Sequence, residues 1–189
     1  MLAAQIRQGA RFDVYAAANA KLPDALYAQH LVERPVPFAR NRLVLAVPAG
    51  SAARGLRDLE RPGRRLAIGS TTVPIGSYTD QVLARLDPSE RALVVANVRS
   101  REPDVTGIVG KLTQGAVDGG FVYVTDVRAT RGTLRAIELP ATVAPSVVYE
   151  AAVVRGGKHT SQARSFIDGL RNGRGAGDLR AAGFAPPPS

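Results

Sequence analysis

Short, continuously apolar runs alternate with helix-periodic segments along this chain, and that alternation is what most limits its fold. Runs rich in Val, Leu and Ile predict strands at 12–18, 42–48, 65–70, 93–98, 120–125, 134–139 and 147–154. Several are apolar throughout, as expected of strands covered on both faces. Between them, Val105, Ile108, Val109 and Leu112 recur at helical spacing, with Asp104 as N-cap and Gly115 as the stop. Ala163, Phe166, Ile167 and Leu170 repeat the pattern behind Thr160 or Ser161. Tyr78, Val82, Leu83 and Leu86 mark another helix, ended by Asp87-Pro88, and 2–8 and 24–31 read as two more. Strands and helices in this order predict an α/β fold with mostly parallel sheets.

Two segments differ in kind. Residues 41–48 and 147–154 are long extended runs that bracket the middle of the chain. Side by side they would form a two-strand crossover between lobes. The first lobe is then 1–43 plus 152–189, and the second is 44–151. The tail, Ala185-Pro186-Pro187-Pro188-Ser189, is expected to be a disordered end. At 189 residues and 45% hydrophobic content, either lobe can bury a core.

Several function classes fall away. There is no cysteine, which removes disulfides, thiolate metal sites and a cysteine nucleophile. The two histidines, His30 and His159, lack metal-ligand spacing. No Gly-x-Ser-x-Gly, P-loop or dinucleotide fingerprint occurs, and Val-Gly-Lys-Leu at 109–112 lies inside a helix pattern. No run approaches the ~18 apolar residues of a membrane helix. The net charge of +9 comes almost wholly from singly scattered arginines, with aromatics at only 5%. That reads as a basic solvated surface rather than a nucleic-acid stripe.

What remains is a pair of strand-to-helix junctions. Thr72-Val73-Pro74-Ile75-Gly76-Ser77-Tyr78 and Asp104-Val105-Thr106-Gly107 each put free backbone N–H groups at a helix start, a ready-made anion site. Tyr123, in Phe121-Val122-Tyr123, adds a hydroxyl donor. With no candidate catalytic pair, the expectation is a protein that grips a small oxyanion and does no chemistry on it. The bland alternatives are ordinary turns with hydrated amides at Ile75 and Val105, and a half-buried strand tyrosine at Tyr123. Asp104 is explained by capping, without metal or base chemistry. Asp80 and Asp126 are expected to cap or bridge at the surface, Tyr78 to pack inward, and Ser70-Thr71-Thr72 to form a polar turn. Lys111 and Arg99 read as solvated, and His159 as a capping or surface residue.

These residues, in order, resemble the molybdate-binding proteins of ABC importers, within the type II periplasmic-binding-protein fold. Leu2-Ala3-Ala4-Gln5-Ile6 with Gln8-Gly9-Ala10 is similar to that family's first conserved helix, and Asp13-Val14-Tyr15-Ala16-Ala17-Ala18-Asn19 to its next strand. Asn41-Arg42-Leu43-Val44-Leu45 resembles the crossover strand, and Arg65-Leu66-Ala67-Ile68-Gly69 the strand before the first anion loop. Val73-Pro74-Ile75-Gly76-Ser77-Tyr78, Asp104-Val105, Gly120-Phe121-Val122-Tyr123 and Gly183-Phe184 complete the match.

The resemblance implies a solute-binding protein that captures molybdate or tungstate, with no resident cofactor, and hands it to an ABC permease by hinge closure. The second-lobe ligands would be the N–H of Ile75, the N–H of Val105 and the hydroxyl of Tyr123. No metal is bound directly; molybdenum enters only as its oxyanion. Isoleucine stands at 75 where the family has alanine, which is expected to narrow the pocket. The family's two serine loops precede the point where this sequence starts. An N-terminally truncated first lobe, a lost export signal and weak binding are the corresponding expectations. The intact protein would be periplasmic or cell-surface. Sulfate, or a cytoplasmic oxyanion-sensing domain of the same fold, are the alternative readings.

Overall fold

The computed structural model describes residues 2–188. The chain divides into two compact units that exchange the backbone twice. The first unit begins with α1 (Leu2–Arg7), β1 (Val14–Ala17), α2 (Lys21–Ala28) and β2 (Val36–Asn41). The second, Arg42–Ser146, contains β3 (Leu43–Pro48), a 3-10 turn at Leu56–Leu59, β4 (Leu66–Gly69), α3 (Pro74–Ala84), α4 (Pro88–Ala96), β5 (Val98–Glu102), α5 (Val105–Thr113), β6 (Gly119–Tyr123), α6 (Val124–Ala129) and β7 (Leu134–Glu138). The chain then returns to the first unit with β8 (Val147–Val153), α7 (Thr160–Asn172) and α8 (Arg174–Ala182).

In the first unit β8 is the central strand, paired antiparallel with β1 and β2. Its side chains alternate between two apolar layers, as the two-residue period of a strand requires. Ala152 and Val154 join Ala3, Ile6, Tyr15 and Leu26 on one face, while Ala151 and Val153 join Phe38, Ala163 and Ile167 on the other. Tyr149 is held edge-on by Phe38 and Phe184, at ring distances of 6.0 and 5.2 Å. The C-terminal segment, expected to be disordered, is instead tied to β2 as far as Pro186. Arg40 and Ala185 exchange both backbone hydrogen bonds at 2.9 Å, and Arg40 Nε donates to the Pro186 carbonyl. Ser189 lies outside the described residues.

Two expectations about the lobes are corrected here. The unit boundaries fall at Asn41/Arg42 and Ser146/Val147 rather than after 43 and 151. The whole of β8 belongs to the first unit because β1 and β2 satisfy its backbone on both sides. The extended runs 41–48 and 147–154 meet only at Asn41 and Val147, since β3 and β8 lie in different sheets. The partner of β8 at the crossing is β2, with Asn41 opposite Val147.

The second unit is built on a five-stranded sheet in the order β5-β4-β6-β3-β7. Strand β3 is buried from Leu43 to Val47, and Phe121 and Val122 of β6 are fully enclosed. Parallel pairing is confined to β4 with β5 and β4 with β6. The mostly parallel sheets expected from the sequence are therefore found only where helical crossovers join the strands, which parallel pairing requires. Strand β3 enters the sheet without such a crossover and runs antiparallel to β6 and β7. The expected strand at 93–98 is also corrected: residues up to Ala96 form α4, and β5 begins at Val98. Pro88 starts that helix at its first position, and the buried Asn97 ends it by donating to the carbonyls of Leu59 and Arg61 at 2.6 and 3.0 Å. A short apolar run fits either element on periodicity alone. Strand β2 and helix α8 had no counterpart in the periodicity reading.

The β4 and β6 ends are locked by Asp118, whose Oδ1 takes the Arg65 guanidinium at 2.7 Å and whose Oδ2 accepts the Arg65 N–H at 2.9 Å. The Arg65 side chain holds the Asp118 carboxyl below its usual range. A lowered folded-state pKa contributes stability above the unfolded value of about 4, and that contribution is lost as pH falls through the folded value. Asp118→Asn should therefore lower the melting temperature at pH 7. The gap to the parent chain should close in unfolding scans below about pH 4.

Candidate functional site

The three candidate residues stand at one edge of one sheet. Strands β5, β4 and β6 are adjacent and parallel, with Gly69 opposite Glu102 and Ala67 opposite Gly120, and the β4–β5 register shifts once, between Leu66 and Ala67. Their C-terminal ends therefore finish together, which is where open α/β sheets place ligands. Strand β4 leads to α3 and Ile75, β5 leads to α5 and Val105, and β6 ends at Tyr123 itself. The right-handed crossovers from β4 to β5 and from β5 to β6 run in opposite directions along the sheet, so α3 and α5 flank it on opposite faces.

Each helix start is built by its own local chemistry. At α3, Ser70 N–H extends the β4–β5 ladder to the Glu102 carbonyl at 2.8 Å, and Val73 N–H turns back to the Ser70 carbonyl at 3.1 Å. Val73 is extended and Pro74 occupies the first helical position, leaving Ile75 second. At α5, Asp104 is extended and its Oδ1 accepts the Gly107 N–H at 2.9 Å, so Val105 is the first helical residue. The Asp104 cap is the one read from the sequence. In both helices the Ile75 and Val105 N–H groups belong to a first turn, which offers them no carbonyl.

Glycines set how closely these parts approach. A Cβ on Gly76 would lie 1.8 Å from the Ser70 carbonyl oxygen, so the first turn of α3 sits directly on its own loop. A Cβ on Gly69 would lie 2.5 Å from Ile75 Cγ2. The Ile75 side chain is thus buried against the end of β4, at 3% exposure. Buried Thr79 donates to the Ile75 carbonyl at 2.8 Å and fixes that turn from below.

Tyr123 is the hub of the arrangement. It is 4% exposed, and its ring meets that of buried Tyr78 on α3 edge-to-face at 6.4 Å. Its N–H donates to Asp126 Oδ2 at 2.9 Å. Asp126 in turn lines a cavity of about 240 Å³ together with Val105, Thr106 and Val109 of α5. The tyrosine is therefore connected to α3 through a ring contact and to α5 through a carboxylate.

Asp126 is a functional neighbour the sequence reading placed at the surface. Burial pushes its carboxyl up, against the Tyr123 N–H, which pulls it down. The spacing Tyr123-x-x-Asp126 is the available signal, because it matches the reciprocal half of a capping box. The remaining residues behave as ordinary structure. Ser70 and Thr72 hydroxyls bond each other at 3.1 Å, Lys111 pairs with Glu102 at 3.6 Å, and the Arg99 guanidinium returns to local carbonyls. His159 caps α7 in the first unit and holds Asp13 at 3.0 Å. Among the described residues no three His, Asp or Glu side chains gather as a metal site.

Two helix starts and one tyrosine thus stand at the C-terminal ends of three adjacent strands. The chain belongs to the bacterial extracellular solute-binding protein family, whose model matches residues 1–185. It is 31% identical to the molybdate-binding protein ModA of Mycobacterium tuberculosis H37Rv, over 98% of this chain and 70% of that protein. The periplasmic molybdate-binding protein of Azotobacter vinelandii superposes with a TM-score of 0.85 at 22% identity, covering 99% of this chain and 84% of that one. The sulfate-binding protein SubI of Mycobacterium tuberculosis superposes at 0.80 with 20% identity, covering 97% and 73%. At those identities the two structures establish the type II periplasmic-binding-protein fold.

The close seat of α3 gives a direct test. Gly76→Ala should destabilise the chain by about 1–3 kcal/mol, because the new methyl overlaps a backbone carbonyl that cannot move freely. Gly110, inside α5, meets nothing within 4 Å of an added Cβ. Gly110→Ala should stabilise by about 0.5–1 kcal/mol. Urea unfolding of both variants reads the two opposite signs.

Proposed function

We infer that this chain is the substrate-binding component of an ABC importer, that it captures molybdate or tungstate outside the cytoplasm, and that it delivers the oxyanion to a permease. The observation that carries the reading is the alignment of two helix starts and Tyr123 at the C-terminal edge of β5-β4-β6, in a chain 31% identical to molybdate-binding proteins. In this reading the ligand donors of the second unit are the Ile75 N–H, the Val105 N–H and the Tyr123 hydroxyl. No resident cofactor takes part and no bond is made or broken.

Neutral donors suit the task. Each helix start carries roughly half a positive charge, so two of them offset about half the charge of a dianion without a buried cation. A guanidinium or ammonium would bind any anion that reached it. Fixed N–H and O–H groups reward only an ion with oxygens at the right separations, since every unmatched donor loses its water for nothing. The net charge of +9 adds a field that draws anions toward the surface without choosing among them. Sulfate is the competing ligand, as it is also a tetrahedral dianion.

The test is calorimetric titration with molybdate, with sulfate as competitor. Saturable molybdate binding that excess sulfate does not displace is expected. Val105→Pro removes one donor while keeping the helix, because proline is favoured at the first helical position and Asp104 is already extended. That variant and Tyr123→Phe should each weaken molybdate about ten-fold or more, as the loss of one hydrogen bond to a charged group implies. A folded sample that binds sulfate in preference to molybdate overturns the molybdate reading. Unchanged affinity in both variants overturns the residue assignment.

A further inference from the structure

We propose that Asp126 is a positioning residue for the oxyanion site, holding Tyr123 at the angle from which its hydroxyl reaches the ligand. The inference rests on the reading of Tyr123 as a ligand. At the end of β6 Tyr123 lies opposite Leu43, the first residue of β3, and Val124 N–H continues that ladder to the Arg42 carbonyl at 2.9 Å, so the Tyr123 N–H between these bonds faces away from β3. The Tyr123 N–H is received by Asp126 Oδ2 at 2.9 Å. The carboxylate thus takes the place of a strand neighbour at the residue whose side chain matters most.

Two further observations say this is more than a helix cap. The buried Tyr123 ring meets buried Tyr78 edge-to-face at 6.4 Å, so a shift of the Tyr123 backbone would have to move this ring pair as well. Asp126 also shares a cavity with Val105 and Thr106. One side chain therefore holds the tyrosine backbone and also lines the pocket bordered by the start of α5. A partly buried carboxylate is a costly way to end a strand, and burial indeed raises its pKa. A charged acceptor holds an N–H more firmly than a neutral one, which is what fixing a ligand group requires.

A double-mutant cycle on the full chain separates this role from simple stability. Asp126→Ala should weaken molybdate about ten-fold. The same substitution in a Tyr123→Phe background should change affinity less than about two-fold, because the group being positioned is already gone. Asp126→Asn keeps an acceptor and should restore most of the affinity; it also serves as the folded variant if alanine unfolds the chain. Thermal unfolding of all variants shows whether stability follows affinity, which the inference says it does not. Additive effects of Asp126→Ala and Tyr123→Phe, or no rescue by asparagine, overturn the inference while leaving Tyr123 a ligand. A Tyr123→Phe variant that binds molybdate like the parent overturns the ligand reading together with this one.

Discussion

The parallel register of β5, β4 and β6 is the constraint on which the rest of the second unit depends. The three strands run the same way, and with Gly69 opposite Glu102 and Ala67 opposite Gly120 each gives its next segment to the same end of the sheet, beyond a single register shift between Leu66 and Ala67. Without that register the amides of α3 and α5 would be two unrelated helix starts. With it, they and Tyr123 form one group of donors, and the contacts among Tyr78, Tyr123 and Asp126 become possible.

The packing around this edge follows from the need to bring backbones close. Gly69 and Gly76 let α3 sit against the end of β4, and Gly120 lets Ile108 of α5 approach β6, where an added Cβ would lie 2.7 Å from Ile108 Cγ2. Larger residues at these positions would push the helices outward and their N–H groups with them. The apolar faces of α3 and α5 supply the cohesion, through buried Val82, Leu83, Ile108 and Leu112. Cohesion and placement are thus different jobs for different residues. The large side chains hold the layers together, and the small ones set where the donors point.

Much of this was legible in the sequence. The periodicity at 105–112 and the cap at Asp104 located α5 to within a residue, since both are contacts between near neighbours. The Pro74 position and the inward Tyr78 were readable for the same reason. The apolar run at 93–98 was not, because Leu93 and Val95 lie exposed on a helix whose start is set by Pro88. Ile75 was read as a possible obstruction, yet its side chain packs on Gly69, a residue six positions earlier on a different element. Asp126 caps α6 as its spacing from Tyr123 predicts, but its partial burial was not legible, because the residues of α5 that line the same pocket are distant in sequence.

What the sequence determined by itself was the alternation of strands and helices, the two helix starts with their first-turn amides, and the absence of thiolate chemistry in a chain without cysteine. All of these depend on neighbours along the chain, where covalent geometry fixes the distances. The tertiary structure alone decided which ends share an edge, where the units divide, which way Ile75 faces and what receives the Tyr123 N–H. Those depend on strand register and on the layer packed above, and both are set by contacts between residues far apart in sequence. A local pattern therefore specifies the parts of an anion site, whereas only the long-range pairing of strands assembles them.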